Sequence, residues 1–412
     1  MTVAILSIGS ELLRGEIADT NAQFIAEQVT ELGFEVTNIE VVPDNRDALV
    51  SELRRMLDAH PLVIATGGLG PTTDDLTAQA AADYLGVDLS THEDALAAIK
   101  RRVEDRGGEL RAGHEKQARL PAGAEMLPNS IGTAPGFIVR LDRATAYFLP
   151  GVPEEMSEML QREVLPRIRG SATHNGFDVC LHVFGVGESW IAERLDGLEA
   201  AHPGVTVSYR AKHSDIDVRL KARGADYADA RDRVKAAADD ARQRLGDVVY
   251  GEGDQSMPML AGRTVRTRGW TLAVAESCTG GLIAQQLTAI PASDYFIGGA
   301  VAYANTAKTN LLGVSEDTLR GHGAVSAEVA AEMAEGARRA FNCDVAVSVT
   351  GIAGPTGGTS DKPVGLCYWA VAHPNGTKVE HRVFNGNRNQ IQQQAAFAAL
   401  DLLRRAFNGS PR

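Results

Sequence analysis

The four cysteines of this 412-residue chain are scattered and form no CxxC pair, which argues against a zinc ribbon or a disulfide framework. No run of 18 apolar residues occurs, and the opening MTVAILSIGSELLRGE lacks the basic start and long apolar stretch of a signal peptide. The 41 Lys and Arg residues against 53 Asp and Glu give a net charge of −12, which disfavours general binding to nucleic acid or to anionic membranes. We therefore expect a reduced, cytoplasmic protein without membrane contacts.

The first part of the chain alternates short apolar runs with amphipathic helical stretches. Val3–Ile8 is typical of a buried strand, and we expect Asn21 to cap a helix that ends near Gly33. The alternation continues through a strand, a helix and a strand at Glu35–Val42, Arg46–Ala59 and Leu62–Ala65. This order predicts a parallel, doubly wound sheet covered on both faces, in a domain spanning residues 1–170.

The pattern changes after Gly170. Ser171–Asn175 is a polar linker, and residues 176–250 follow a β-α-β-β-α order that fits a small α+β module. The module has no GXXG clamp and no aromatic pair for stacking bases, so a nucleic-acid role is not expected. Gly251–Gly253 is the second predicted linker, and residues 256–412 form another α/β domain. The predicted class is therefore α/β, with two three-layer α/β domains joined by a small α+β middle module.

A glycine-rich loop, TGGLGPTTDD at residues 66–75, follows a strand of the first domain. Glycines at such a junction let the backbone approach an anion. The loop lacks the lysine of a Walker motif and contains no GxGxxG, so a kinase or a dinucleotide dehydrogenase is not indicated. Asp74 and Asp75 have two readings of about equal weight: ligands for a divalent ion, or carboxylates that stabilise a helix N-terminus.

Three further segments are expected at the same sheet edge: Gly9–Glu11, Gly132–Gly136 and Leu149–Glu154. Ligands of open α/β sheets bind in the crevice at the carboxyl ends of the strands. Gly/Pro clusters are often simple turns, but their convergence on one edge favours a ligand site. Lys116 is a candidate partner for a phosphate, although a lone lysine is usually a solvated surface charge.

The densest segment of the last domain is AESCTGG, where a strand leads towards a helix. Ser277 would stand at the helix N-terminus, with N–H groups of the next residues as an anion hole, which suits a nucleophile. Serine is also a favoured N-cap, and these two readings weigh about equally. Cys278 is the rival nucleophile, but it ranks second because no histidine of this domain lies in a glycine-rich junction.

Two more segments are expected near Ser277. YANTAK follows a strand and places Tyr303, Asn305 and Lys308 at the same edge, where the lysine can act as a base only if burial or a neighbouring cation lowers its pKa. The loop TGIAGPTGG, residues 350–358, could cradle a phosphate or hold an oxyanion. Arg388 is a candidate phosphate partner, with a solvated arginine as the alternative.

The set TGGLGPTTDD, GTAPG, LPGVPEEM, AESCTGG, YANTAK and TGIAGPTGG resembles the competence/damage-inducible protein A (CinA) family over nearly the whole chain. The first domain is also similar to molybdopterin-binding domains, with Leu69 in place of a threonine of their TGGTG loop. The resemblance implies an NMN amidohydrolase in the C-terminal domain, which needs no cofactor. It also implies a metal-dependent ADP-ribose pyrophosphatase in the N-terminal domain, using Mg²⁺, Co²⁺ or Mn²⁺ and releasing AMP and ribose 5-phosphate.

The resemblance carries the deamidase nucleophile onto Ser277, its base onto Lys308 and an assisting role in proton transfer onto Tyr303. Besides Arg388, the family commonly has another arginine one helical turn later, and this chain has Gln392 there. The expected binding of the phosphate is weakened in part by this difference. We expect NMN to be bound by Thr279, Gly280, Gly281, Asn305, Gly351, Ala353, Gly354, Thr356, Gly357 and Arg388.

In the N-terminal domain the resemblance places the metal on Asp74 and Asp75. We expect ADP-ribose to be bound by Glu11, Asn21, Gly67, Gly68, Gly70, Thr72, Lys116, Gly132, Thr133, Pro135 and Glu154. A homodimer is implied as well. Two alternatives stay open: a regulatory protein that binds a nucleotide or pterin without turning it over, and an interaction protein with a DNA-repair or competence partner.

Overall fold

The computed structural model describes residues 1–171, 176–212 and 214–407, so residues 172–175 of the predicted polar linker lie outside the described residues. The chain divides into two compact units, Met1–Gly176 and Phe177–Arg412. None of the helices in the described ranges combines the length and the apolar character needed to cross a membrane.

The first unit alternates strands with helices. Its strands are β1 (Thr2–Ile8), β2 (Glu35–Val42), β3 (Leu62–Thr66), β4 (Leu89–Thr91), β5 (Arg119–Pro121), β6 (Glu125–Leu127), β7 (Gly136–Arg140) and β8 (Thr145–Leu149). Its helices are α1 (Ser10–Leu13), α2 (Thr20–Glu31), α3 (Arg46–Ala59), α4 (Thr77–Leu85), α5 (Glu93–Asp105), α6 (Ala112–Gln117), α7 (Pro153–Met159) and α8 (Leu165–Ile168).

The main sheet of this unit has the order β2-β1-β3-β8-β7-β6. β2, β1, β3 and β8 run parallel, but β7 pairs antiparallel with both β8 and β6, so the predicted parallel arrangement holds for four of the six strands. The reason is the link between β7 and β8, residues 141–144. A parallel pair needs a crossover of a dozen or more residues, whereas so short a connection allows only an antiparallel hairpin.

Both faces of the sheet are buried. Along β1, Leu6 and Ile8 join an apolar cluster with Leu53 of α3, while Ile5 joins another cluster with Ile25 of α2. Successive residues of a strand point to opposite faces, so this alternation places helices on both sides. The first unit therefore has the three-layer α/β arrangement predicted from the sequence.

The start of α2 differs from the prediction. Asp19 is the cap, and its side chain accepts the N–H of Ala22. Asn21 lies inside the helix, where its buried amide donates to Thr66 Oγ1 at 3.1 Å and to the carbonyl of Gly151 at 2.8 Å. Asn21 therefore ties α2 to the ends of two sheet strands, a role that helical spacing alone does not reveal.

The second unit begins with a small sheet of order β10-β11-β9-β12. Its elements are β9 (Gly176–Val183), α9 (Glu188–Arg194), α10 (Leu198–Ala201), β10 (Val205–Ala211), β11 (Ile216–Arg223), α11 (Tyr227–Leu245) and β12 (Val249–Glu252). β12 pairs antiparallel with β9. The segment Gly251–Gly253, predicted as a linker, thus mostly belongs to a strand, which corrects that prediction.

The C-terminal sheet has the order β14-β13-β15-β16-β17. Its elements are α12 (Met257–Arg266), β13 (Leu272–Glu276), α13 (Leu282–Thr288), β14 (Phe296–Val301), α14 (Asn305–Leu312), α15 (Glu316–His322), α16 (Ala327–Ala340), β15 (Val345–Gly351), β16 (Leu366–His373), β17 (Gly376–Val383) and α17 (Arg388–Arg405). β14, β13 and β15 are parallel, so their carboxyl ends meet at one edge. Apolar clusters cover both faces, and the predicted α/β class is confirmed.

Candidate functional site

The parallel strands of the C-terminal sheet bring three segments to one edge. Ser277 directly follows β13, Tyr303 follows β14, and the glycine-rich loop 350–358 follows β15. Apolar clusters pack against these strands on both faces of the sheet and fix their positions. The polar side chains at the strand ends are therefore held in place.

The side chains of Ser277 and Lys308 meet at this edge. Lys308 Nζ lies 3.0 Å from Ser277 Oγ, and the two residues are only 1% and 7% exposed, respectively. The same Nζ donates to the carbonyls of Ala302 at 2.8 Å and Tyr303 at 3.1 Å. The lysine, one turn into α14, is therefore fixed on three sides, with its amine aimed at the serine hydroxyl.

Burial lowers the pKa of Lys308 from its ordinary value, and the nearby Cys278 thiol opposes this shift only in part. A neutral amine has two N–H donors and one lone pair. The carbonyls of Ala302 and Tyr303 can only accept, so they take the two N–H groups and leave the lone pair facing Ser277 Oγ. The protonated lysine donates at all three contacts, whereas the neutral form that deprotonates a serine keeps two donors for the carbonyls and presents its lone pair to Ser277 Oγ.

The turn after Ser277 departs from the prediction. Ser277 was expected at the helix N-terminus, but α13 begins only at Leu282, because Gly280 and Gly281 have positive φ values of 65° and 103° and form a turn. The N–H of Gly280 donates to the Ser277 carbonyl, and the N–H of Gly281 donates to Glu276 Oε2. These two N–H groups are already bonded, so the expectation that they form an anion hole needs correction.

Cys278 lies in the apolar core, and the Cys367 thiol is hydrogen-bonded to its thiol, an interaction that with burial raises the pKa of Cys367. Gly351 leaves room for this pair, since a Cβ there would lie 2.5 Å from Cys367 Sγ. This core setting favours a packing role for Cys278 over that of the rival nucleophile.

Arg388 joins two of the segments at the site. Its Nη1 donates to the Gly354 carbonyl at 2.7 Å and its Nη2 donates to Tyr303 Oη at 2.9 Å. Several backbone N–H groups of the loop have no acceptor in the described part of the chain. They are those of Ala353, Gly354, Thr356, Gly357 and Gly358. Successive free N–H groups beside an arginine form a setting that attracts an anion.

The remaining residues expected around NMN are placed as follows. Asn305 is the exposed first residue of α14. Thr279 is buried, and its hydroxyl has no hydrogen-bond partner among the described residues. Gln392, which stands where the family has an arginine, donates from Nε2 to the Cys278 carbonyl at 2.7 Å. Gln392 therefore supports the nucleophile turn instead of offering a charge to the substrate.

In the first unit the glycine-rich loop approaches its neighbours closely. Gly67 has φ +110°, and a Cβ there would lie 2.2 Å from the Ile8 carbonyl oxygen. A Cβ on Gly68, with φ +65°, would lie 2.2 Å from Thr77 Oγ1, which itself donates to the Gly67 carbonyl. Only glycine fits either position. These two glycines are thus required by close contacts within the protein, and the expected approach of an anion to this loop stays a prediction.

Thr72 connects the two aspartates of the loop. Its hydroxyl oxygen lies within hydrogen-bond distance of carboxylate oxygens of both Asp74 and Asp75 and can donate its one hydrogen to either, and its N–H donates to Asp75 Oδ2 at 2.8 Å. Hydrogen bonding from Thr72 lowers the pKa of Asp74. Lys116 donates to the Thr72 and Asp75 carbonyls, which holds the loop closed around the two carboxylates. A Cβ on Gly70 would lie 2.6 Å from Asp75 Oδ2.

The other expected ADP-ribose residues are more dispersed. Gly132, Thr133 and Pro135 line a cavity of about 400 Å³ together with Arg102 and Arg106. Beside Gly132 lies Glu155, bonded to Asn129 at 2.7 Å, while the expected Glu154 is exposed in the first turn of α7. Glu11 lies in α1, beside Gly9. Within the described residues, no hydrogen bond joins Glu11 or Glu154 to the loop at 66–75.

The small sheet contains a polar cluster that was not predicted from the sequence. Potential ligand atoms of Cys180, His182 and Asp217 lie within 4.8 Å of one another. His182 Nδ1 lies 2.7 Å from Asp217 Oδ1 and Nε2 lies 2.7 Å from the Gly253 carbonyl, while Lys212 also pairs with Asp217. Both ring nitrogens face acceptors, which indicates the imidazolium form and leaves neither nitrogen for a metal ion. The Asp217 and Cys180 contacts raise the pKa of His182 to about 10.

Comparison with known proteins matches successive parts of the chain to three family models. Residues 4–170 match a probable molybdopterin binding domain, residues 180–251 the KH domain of damage-inducible protein CinA, and residues 254–407 the CinA C-terminal domain. A crystal structure of a competence/damage-inducible protein from Agrobacterium tumefaciens is 42% identical, covers 37% of this chain and 95% of that chain, and has a TM-score of 0.35.

Full-length relatives are also similar. A CinA-like protein of Citrifermentans bemidjiense is 44% identical over 98% of this chain and 97% of its own length. A CinA-like protein of Kosmotoga olearia is 39% identical over 99% of both chains. With this identity along its whole length, and with the N-terminal, middle and C-terminal parts each matched, the chain belongs to the CinA family.

Proposed function

We propose that the C-terminal domain hydrolyses the amide of nicotinamide mononucleotide, giving nicotinate mononucleotide and ammonia. The observation that carries this proposal is the 3.0 Å contact between Ser277 Oγ and the buried amine of Lys308. A serine beside a desolvated lysine is an activated nucleophile suited to attack on an amide carbonyl. The resemblance to the CinA family supports NMN as the substrate.

The reaction runs in two halves. Ser277 Oγ attacks the amide carbon as its proton passes to Lys308 Nζ, and ammonia leaves with that proton, so the serine ester forms and the lysine is neutral again. Water then attacks the ester, with Lys308 as base, and releases the acid and free Ser277. The N–H groups of Cys278 and Thr279, which have no acceptor among the described residues, are available for the oxyanion.

The phosphate of NMN is assigned to the loop that follows β15. The free N–H groups between Ala353 and Gly358 and the remaining donors of Arg388 supply positive potential there. A charge-assisted contact to arginine is about twice as strong as a neutral hydrogen bond. Arg388 also donates a hydrogen bond to Tyr303, which belongs to the segment that supports Lys308. The same arginine would therefore contact both the substrate and this segment.

The direct test is ammonia release from NMN by the purified full-length protein. Ser277→Ala should lower kcat by about three orders of magnitude or more while NMN still binds, because only the nucleophile is lost. Cys278→Ser serves as the matched control in the adjacent position, and it should retain most of the rate. A Ser277→Ala protein with the parent rate would exclude this serine as the nucleophile.

The N-terminal domain supports a second candidate function, metal-dependent hydrolysis of the pyrophosphate of ADP-ribose. The observation in favour is the pair of carboxylates, Asp74 and Asp75, held together by Thr72 beside a glycine-rich loop. Carboxylate oxygens are the donors that Mg²⁺ and Mn²⁺ prefer, so this set fits a hard divalent ion. Such an ion would neutralise charge on the pyrophosphate. Release of AMP from ADP-ribose with Mg²⁺, Mn²⁺ or Co²⁺ is the test.

A further inference from the structure

Glu276, the last residue of β13, has a buried carboxylate with an unusual set of partners. The residue is 1% exposed and directly precedes the proposed nucleophile. Its Oε2 accepts the N–H groups of Gly281 at 3.0 Å and Ile283 at 3.1 Å, and its Oε1 accepts the N–H of Ala284 at 2.9 Å. One carboxylate thus satisfies three of the N–H groups that the start of α13 would otherwise leave unpaired.

These contacts close the chain into a loop around Ser277. Glu276 lies before the serine, and the residues whose N–H groups it accepts lie after it, so residues 277–280 are held from both ends. Gly280 adds a bond from its N–H to the Ser277 carbonyl at 3.1 Å. The main chain of Glu276 also accepts the N–H of Ala302 at 2.7 Å, and Ala302 in turn holds the amine of Lys308.

We propose that Glu276 is a positioning residue, whose carboxylate fixes the turn that carries Ser277 so that its hydroxyl stays in line with Lys308. This inference rests on the proposed reaction for its effect on NMN turnover, but the reactivity of Ser277 can be measured separately. A carboxylate accepts at all three contacts, whereas the amide of Gln presents an NH₂ group that cannot accept from a backbone N–H. Small displacements of a nucleophile cost much of the rate.

The experiment compares Glu276→Gln with Glu332→Gln in the full-length protein. Glu332 is a matched control because its carboxylate accepts the N–H of Ser315 and the hydroxyl of Thr318 at the start of α15 in the same sheet domain. Two rates are measured: labelling of Ser277 by a fluorophosphonate, located by mass spectrometry, and ammonia release from NMN. Thermal unfolding is followed for every variant.

For Glu276→Gln we expect labelling and kcat to fall together by about 10- to 100-fold with KM little changed, while Glu332→Gln keeps the parent values. Glu276→Asp, which keeps the charge but is one methylene shorter, should give intermediate rates, and it replaces Glu276→Gln if that protein does not fold. The proposal is overturned if Glu276→Gln folds and its Ser277 is labelled at the parent rate. It is also overturned if Glu332→Gln loses as much labelling and kcat as Glu276→Gln, or if Ser277 of the parent protein is not labelled at all. A parent protein that is labelled but releases no ammonia refutes NMN turnover alone.

Discussion

Arg388 Nη2 donates a hydrogen bond to Tyr303 Oη at 2.9 Å, across 85 residues of sequence. Tyr303 is 61% exposed, so its ring gains its position from this contact more than from packing. Its main-chain oxygen is one of the acceptors for Lys308. Arg388, the proposed phosphate partner, is therefore connected through Tyr303 to the main chain that holds Lys308, the proposed base.

The first prediction concerns Arg388. Arg388→Gln should raise the KM for NMN by about 10- to 100-fold, the equivalent of one charge-assisted hydrogen bond, and should change turnover of nicotinamide riboside, which lacks the phosphate, much less. Steady-state kinetics with both substrates measure the difference. Arg382→Gln is the control, because Arg382 also donates to a backbone carbonyl but at Gly185. Equal losses with both substrates would contradict a phosphate contact.

The second prediction concerns the pH dependence of deamidation. Only the neutral amine of Lys308 can accept the serine proton, so the rate should rise with pH while the amine deprotonates and then level off. Since burial lowers the pKa of Lys308 from 10.5, the plateau should begin below pH 10.5. A profile of kcat/KM against pH tests this, and Lys308→Met should remove the rise together with nearly all activity. A rate that still climbs at pH 10.5 would argue for an unshifted base.

The third prediction concerns the N-terminal carboxylates. Asp74→Asn and Asp75→Asn should each reduce release of AMP from ADP-ribose by at least about 100-fold, because each removes a charged ligand. Chelation with EDTA should reduce AMP release by the parent protein to a similar extent, and added Mn²⁺ should restore it. Asp58→Asn, an exposed carboxylate on α3, is the control. Ammonia release from NMN should be unchanged in every case, and a parallel loss of both activities would count against separate sites.

The fourth prediction concerns stability and pH in the small sheet. The pKa of His182 is raised from 6.5 in the unfolded chain to about 10 in the folded one. The folded state therefore holds the proton more tightly, so its stabilising contribution is complete below pH 6.5 and is lost as the pH rises towards 10. Hydrogen exchange of β9 and β11 should accelerate across this range in the parent protein.

The matched comparison uses His182→Gln and His202→Gln. His202 pairs with Asp240 at 3.0 Å in the same module but is more exposed, so its loss should change exchange little. His182→Gln should already exchange faster at pH 6 and should show a smaller further change up to pH 10. A parent protein with the same exchange at pH 6 and pH 10, after correction for the intrinsic rate, would disprove the role of His182.

Most strands and helices could be predicted from apolar spacing, as the bounds of β2 and α3 illustrate. The errors arose where tertiary contacts decided the structure. Asn21 has the side chain of a helix cap, yet burial against Thr66 gives it another role. Gly251–Gly253 reads as a polar, glycine-rich linker, and pairing with β9 extends the strand β12 into it as far as Glu252. Neither contact leaves a periodic signal in the sequence.

The candidate site was accessible to prediction where its residues lie just after strands, as Ser277 and Tyr303 do. Lys308 could be placed at the same edge, but its desolvation depends on packing that spacing does not report. The contacts of Glu276 could not be predicted, because a carboxylate at the end of a buried strand has no recognisable pattern. Its partners become apparent only when the turn at Gly280 and Gly281 brings their N–H groups back towards it.

The two carbonyl oxygens that hold the amine of Lys308 belong to the main chain of Ala302 and Tyr303. These acceptors are therefore placed by the path of the backbone, while burial lowers the pKa of the lysine. Insertions or deletions in the short link from β14 to α14 would displace both oxygens and with them the amine that they orient.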